Sequence, residues 1–175
     1  SALEPMPSDI CEYNEVYFAY YMGNSVAQTM DYAAFLLSTG EFTVYSSYTD
    51  MVLTDMEVAR SGSNYIAGLA LTQSGKNYLY FFNPDQSTDK TMQVAVDDLD
   101  ITLLPTGSAA MCAVLANGDV SLVYANIDDN ETLEEVELDP GVSVDECAIA
   151  STTGGRIALS LRSGDDFMIG FADYL

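Results

Sequence analysis

A chain of 175 residues, 49% hydrophobic and with only five prolines, can bury a core, and it is too apolar to stay unfolded even at a net charge of −22. Five basic residues against 27 acidic ones, with a pI near 4.1, exclude nucleic acid and anionic membranes as partners, because their phosphates must be neutralised by Lys and Arg. No apolar run approaches the ~18 residues of a membrane-spanning helix, and with no histidine in the chain neither a Ser-His-Asp nor a Cys-His arrangement can form.

Taken in order, the segments predict four similar units. In the first, over residues 12–53, "NEVYFAYYM" and "YAAFLLS" read as strands, and a turn at Gly40 leads into "FTVYSSY". Residues 25–37 of this unit also fit a helix by length and composition. In the second, over 54–98, "DMEVARS", "YIAGLALT" and "NYLYFFN" are strands with a turn at Gly75. The polar "PDQSTDK" reads as a loop and "MQVAVDD" as a fourth strand. The third, over 99–139, repeats the order with "DITLLPT", "AAMCAVLA", a turn at Gly118, "VSLVYAN", a polar loop and "TLEEVEL". The fourth, over 144–175, offers "DECAIAS", "RIALSLR", a turn at Gly164 and "FMIGFADYL".

The turn glycines Gly40, Gly75, Gly118 and Gly164 are 35, 43 and 46 residues apart, and a second series, Gly62, Gly107 and Gly154, steps by 45 and 47. Two markers with nearly the same step indicate a repeat, and such a period belongs to stacked or radial architectures. The segments are short and rich in Val, Ile, Tyr and Phe, and their turns hold Gly beside Asn, Asp or Ser, which predicts antiparallel strands joined by tight hairpins. "AAMCAVLA" is apolar on both faces, whereas "TLEEVEL" alternates with glutamates. A doubly buried inner strand and a half-wet outer one suit an all-β protein of about four antiparallel meander units, 43–47 residues each. A β-sandwich is the alternative.

This rhythm resembles the blades of β-propellers, most of all those of WD-repeat proteins, over nearly the whole chain; "DECAIASTTGGRIALSLRSGDDFMIGFADYL" carries it most fully. The Gly-His pair and the Trp-Asp ending of that family are missing, since the chain has neither His nor Trp. The family's hydrogen-bonded tetrad therefore cannot form, and none of its functional residues carries over. Hemopexin-like domains close with four blades, and "VDECAIAS" and "MDYAAFLL" resemble their Asp-led inner strands. A fourth strand for the last unit is expected from the segment before Glu15. Otherwise four units make half a ring that a second copy or another chain completes.

The three cysteines, Cys11, Cys112 and Cys147, are odd in number and at no metal-like spacing, and the last two lie in apolar strands, so they read as free buried thiols. No phosphate-binding or dinucleotide fingerprint occurs. Paired carboxylates at Asp97-Asp98-Asp100, Asp128-Asp129 and Asp165-Asp166 fall in predicted loops and match no calcium-binding loop. "NET" at Asn130 is a glycosylation sequon in a polar loop.

These observations lead to a non-catalytic protein-interaction or assembly module with no cofactor and no metal. Its partner would be a protein with a basic or apolar surface, or further copies of the chain, with no nucleic acid and no membrane insertion. The alternatives are a self-assembling secreted or surface subunit and, third, an acid-dependent glycoside hydrolase or lectin-like domain. The candidate contact residues are Tyr13, Tyr17 and Tyr20 of the aromatic edge and the carboxylates Asp97, Asp98, Asp128, Asp129, Asp165 and Asp166. Few lysines and many Tyr, Asn, Ser and Thr lean towards an extracellular or cell-surface setting.

Overall fold

The computed structural model describes the backbone of residues 10–13, 16–23, 29–36, 41–49, 51–61, 64–82, 87–126, 131–154 and 156–173, and the side chains of 51–59, 66–81, 88–126, 134–154 and 156–173. Every regular element among them is a strand. Sheet one holds β1 (Ile10–Tyr13), β2 (Val16–Gly23), β3 (Thr29–Leu36) and β4 (Glu41–Thr49). Sheet two holds β5 (Met51–Ser61), β6 (Asn64–Gln73), β7 (Lys76–Phe82) and β8 (Ser87–Met92). Sheet three holds β9 (Val96–Leu103), β10 (Ala109–Leu115), β11 (Val120–Asn126) and β12 (Glu131–Leu138), and sheet four holds β13 (Glu146–Ser151), β14 (Arg156–Ser163) and β15 (Asp166–Asp173). Each sheet is an antiparallel meander in which consecutive strands are neighbours. The protein is therefore all-β, built of blade-like repeats rather than a two-sheet sandwich.

The core lies between sheets. Ile66, Ala70, Leu79, Phe81 and Met92 of sheet two pack on Val96, Leu99, Ile101, Met111 and Val123 of sheet three. The opposite face of sheet three, with Cys112, Val114, Val120, Leu122 and Tyr124, packs on Cys147, Ile149, Ile157, Leu159 and Leu161 of sheet four. β10 and β11 are buried on both faces because each lies inside its sheet and each face meets a neighbouring sheet. Sheets two and three approach so closely at Gly68 that a Cβ there would lie 2.7 Å from the Met111 Cε.

Four expectations change. The fourth strand of unit two is the polar Ser87–Met92 and not "MQVAVDD", whose Val96, Asp97 and Asp98 belong to β9. A half-exposed outer strand tolerates Thr, Asp and Lys, while Val96 and Leu99 are needed in the core between the sheets. The unit boundaries drawn at 53/54 and 98/99 accordingly cut through β5 and β9. The described part of the segment before Glu15, Ile10–Tyr13, is not in sheet four: it pairs with Val16–Ala19 inside sheet one, a short hairpin that costs less loop entropy than a long return. Finally, Cys112 and Cys147 are not free thiols but form a disulfide across the boundary between sheets three and four, with Cα atoms 6.4 Å apart. Separately, the stretch that also fitted a helix contains strand β3, paired with β2 and β4.

Candidate interaction surface

The inner-strand carboxylates are placed by alternation along β9. Asp98, Asp100 and Thr102 stand opposite Val114, Cys112 and Ala110 of β10, on the face that meets sheet four. There they accept hydrogen bonds from three alternate backbone N–H groups of β13: Cys147 to Asp98 at 2.8 Å, Ile149 to Asp100 at 2.7 Å and Ser151 to Thr102 at 3.1 Å. Side chains thus satisfy the free backbone donors along the edge of the next sheet's first strand, a role that ladder hydrogen bonds would otherwise fill. Sheet two repeats the device once, with Asp55 accepting from the Leu99 N–H at 2.8 Å. Burial pushes the carboxyls of Asp55 and Asp98 above their ordinary range; at Asp98 the charges of Asp55, Glu146 and Asp100 push the same way. Farther out, Lys90 of β8 pairs with Glu135 of β12 at 2.7 Å, and Ser121 also donates to Glu135.

The loop placement expected for Asp97, Asp98 and Asp100 is therefore corrected: all three are strand residues, and Asp98 and Asp100 are used within the fold rather than displayed to a partner. Asp97 is exposed on β9, Asp165 sits in the β14–β15 turn and Asp166 opens β15, both exposed. Asp128 and Asp129 lie outside the described residues, as does the Asn130 sequon. Tyr13 lies on β1, and Tyr17 and Tyr20 lie on β2, opposite Glu12 and Phe35 in one case and Tyr32 in the other; their side chains are outside the described set. Among the described residues, no group of three Cys, His, Asp or Glu side chains converges as a metal site.

A different surface emerges on β15. Met168 and Ala172 turn towards sheet three, which leaves Phe167, Ile169 and Phe171 on the outward face, 69%, 74% and 62% exposed. Their equivalents in sheet three follow from the hairpins. Leu115 and Asp119 close one turn and Ser163 and Asp166 the other, so Val120, Leu122 and Tyr124 correspond to Phe167, Ile169 and Phe171. The sheet-three residues are at most 3% exposed because sheet four covers them. On sheet four the bridging positions also change, with Glu146, Ala148 and Ala150 standing where sheet three has Asp98, Asp100 and Thr102. Glu146 is engaged instead by Arg162 of its own sheet, and Arg156 pairs with Asp173 at 2.9 Å. The result is an apolar ridge between two ion pairs, a feature that "DFMIGFAD" conceals because it is apolar in both phases of the alternation.

No protein-family model matches the chain, and no curated protein sequence does. Among solved structures, the chain is similar to the bifunctional GH43-CE protein of Bacteroides eggerthii, with a TM-score of 0.54 at 12% identity over 99% of this chain. It spans 27% of the length of that protein. It is also similar to BBS1N, solved in complex with ARL6DN, at a TM-score of 0.46 and 8% identity, over 96% of this chain and 67% of that one. The first of these neighbours is β-propeller-like. At such identities the first likeness speaks to the fold, and the blade-like all-β architecture is what it supports.

Proposed function

We propose that this chain is a non-catalytic protein-interaction or assembly module carried on blade-like sheets. The observation that carries the reading is the outward face of sheet four, where, among the described residues, Phe167, Ile169 and Phe171 stand uncovered at positions that are core in sheet three. An exposed ridge of large apolar side chains, rimmed by ion pairs, is the surface signature of a protein contact. A net charge of −22 adds a preference for a partner with basic groups at the rim. The non-catalytic part of the reading is supported by the use of Asp55, Asp98 and Asp100 as acceptors for backbone N–H groups, which ties them to structural work.

The test is site-specific photo-cross-linking in the native setting. A photoreactive side chain at position 169 is compared with one at Thr153, an exposed turn residue of the same sheet. The reading expects discrete protein adducts at 169, either a second copy or a different protein, and none at 153. No adduct at 169, or the same adducts at both positions, would sink it.

A further inference from the structure

The linker from β12 to β13 crosses the end of sheet three and forms a cleft with the β10–β11 hairpin. At one point hairpin and linker touch: the Val144 N–H donates to the Gly118 carbonyl at 3.0 Å, and a Cβ on Gly118 would collide with Ser143. Earlier in the linker, Gly141 takes a left-handed turn at φ +73°, and its N–H donates to Asp139 at 3.0 Å. Between these points lies an open space of about 560 Å³, lined from within residues 115–120 and 137–143, well inside the chain. Sites that receive a ligand or an anchoring side chain span roughly 300–1,000 Å³.

Depth and mouth differ in chemistry. Of the lining side chains, Val120 is buried and Leu115, Leu138 and Pro140 are half-buried, so the deep part is apolar. Asp119, Glu137 and Asp139 are exposed and stand at the mouth, beside Val142, which is 50% exposed. Asn117 donates to Asp119 at 2.6 Å, and Asp139 is held by the Gly141 N–H, so two of the three carboxylates are fixed in place. The cations whose side chains are described, Lys76, Lys90, Arg156 and Arg162, all lie outside the lining. The last three are engaged by Glu135, Asp173 and Glu146. The cleft thus offers an apolar bed under a negative mouth that has no cation in its walls.

Resting on the interaction reading above, we infer that this cleft docks a loop of a partner protein that presents one apolar side chain flanked by arginine or lysine. The apolar side chain anchors against Val120, Leu138 and Pro140, and the basic flanks meet the carboxylates at the mouth. Arginine suits the mouth better than lysine, because its weakly hydrated planar head reaches two carboxylates at once. A bare metal ion would leave the apolar bed unused, and the carboxylates do not converge as a metal site. A second copy of this chain is disfavoured as the occupant, since two chains of net charge −22 repel, and Arg156 and Arg162 are already paired.

The experiment titrates the intact, isotope-labelled chain with a capped Gly-Arg-Leu-Arg-Gly peptide and follows backbone amide shifts by NMR. Two controls separate the parts: Gly-Glu-Leu-Glu-Gly changes the flanks, and Gly-Arg-Ser-Arg-Gly removes the anchor. The inference expects saturable shifts at residues 117–120 and 141–144, about tenfold weaker binding or less from either control, and loss of affinity on adding salt. Glu137→Gln combined with Asp139→Asn keeps an oxygen to accept from Gly141 and is expected to weaken the arginine peptide about tenfold, with no loss of thermal stability. No saturable shift at the cleft overturns the inference, as does equal binding by either control. Shifts of the same size at Asp165, Asp166 and Asp173 also overturn it, because they mean diffuse attraction to the acidic surface. Cleft shifts that arise with a doubled solution mass and no peptide overturn it in favour of a second copy. Cross-links at position 169 without cleft shifts leave the interaction reading standing and remove the docking cleft. Absence of both removes the two together.

Discussion

The carboxylate of Asp98 on β9 accepts a hydrogen bond from the backbone N–H of Cys147 on β13 at 2.8 Å, across the boundary between sheets three and four and 49 residues along the chain. The same Cys147 is tied to Cys112 through its side chain. One residue thus receives the covalent link between these sheets and one of their three side-chain-to-backbone bridges.

Removing the acceptor and removing only its charge have different consequences. Asp98→Ala strands the partly buried Cys147 N–H and is expected to cost about 1–3 kcal/mol. Asp98→Asn keeps an oxygen at the same place and sheds a carboxylate whose ionised form is disfavoured by burial and by Asp55, Glu146 and Asp100, so its cost is expected to be close to zero. Urea unfolding of the two variants checks the contrast.

The pH dependence follows from the same carboxyls. Asp55 and Asp98 both titrate above 3.8 in the folded chain, chiefly because burial disfavours their charge. Between 3.8 and the raised folded values the native state holds protons that the unfolded chain has released, so stability falls as pH rises through this window. Glu135 acts with the opposite sign. Burial pushes it up, but the hydrogen bonds from Lys90 and Ser121 and the charge of Lys90 together outweigh that and hold it below 4.5, so its contribution is lost as the pH falls. Thermal melts from pH 4 to neutrality are expected to show a declining midpoint, and the double variant Asp55→Asn/Asp98→Asn is expected to flatten that slope. An unchanged slope would refute the assignment.

The disulfide makes a stoichiometric prediction. Of three cysteines, two are joined, so thiol titration of the unfolded, unreduced chain is expected to count Cys11 alone. Replacing both Cys112 and Cys147 by Ala removes a constraint spanning 35 residues and is expected to destabilise the chain by about 2–4 kcal/mol, read by denaturant unfolding.

Gly118 provides a local test. It closes the β10–β11 turn at φ +85°, and a Cβ there would lie 2.0 Å from the Ser143 Oγ and 3.2 Å from the Ser143 Cα. The Val144 N–H also donates to the Gly118 carbonyl, so the turn anchors the linker into sheet four. Gly118→Ala is expected to cost more than the ~1 kcal/mol of a left-handed alanine, because the linker must move as well. Gly118→Ala/Ser143→Gly relieves the hydroxyl clash and recovers part of that loss in the same unfolding assay.

Much of the architecture is legible along the chain. The turn residues Gly75, Gly118 and Gly164, all at positive φ, recur because a tight hairpin needs that conformation, and their spacing announces the repeat. The doubly apolar "AAMCAVL" and "VSLVYAN" are the strands buried on both faces. Where strands begin is less legible: "MQVAVDD" divides between a loop and β9, because burial between sheets decides the matter and a local pattern does not. The Asp98 and Asp100 bridges escape a linear reading for a similar reason, since their partners are backbone groups of a strand that any sequence could supply.

Composition and periodicity by themselves determined an acidic, all-β repeat without histidine chemistry, because alternation and turn chemistry are properties of neighbours along the chain. Tertiary structure decided which carboxylates are consumed, which cysteines join and which apolar strand lies uncovered. Phe167 and Val120 occupy equivalent strand positions, and among the described residues a sheet packs against Val120 and none against Phe167, which makes one a core residue and the other exposed.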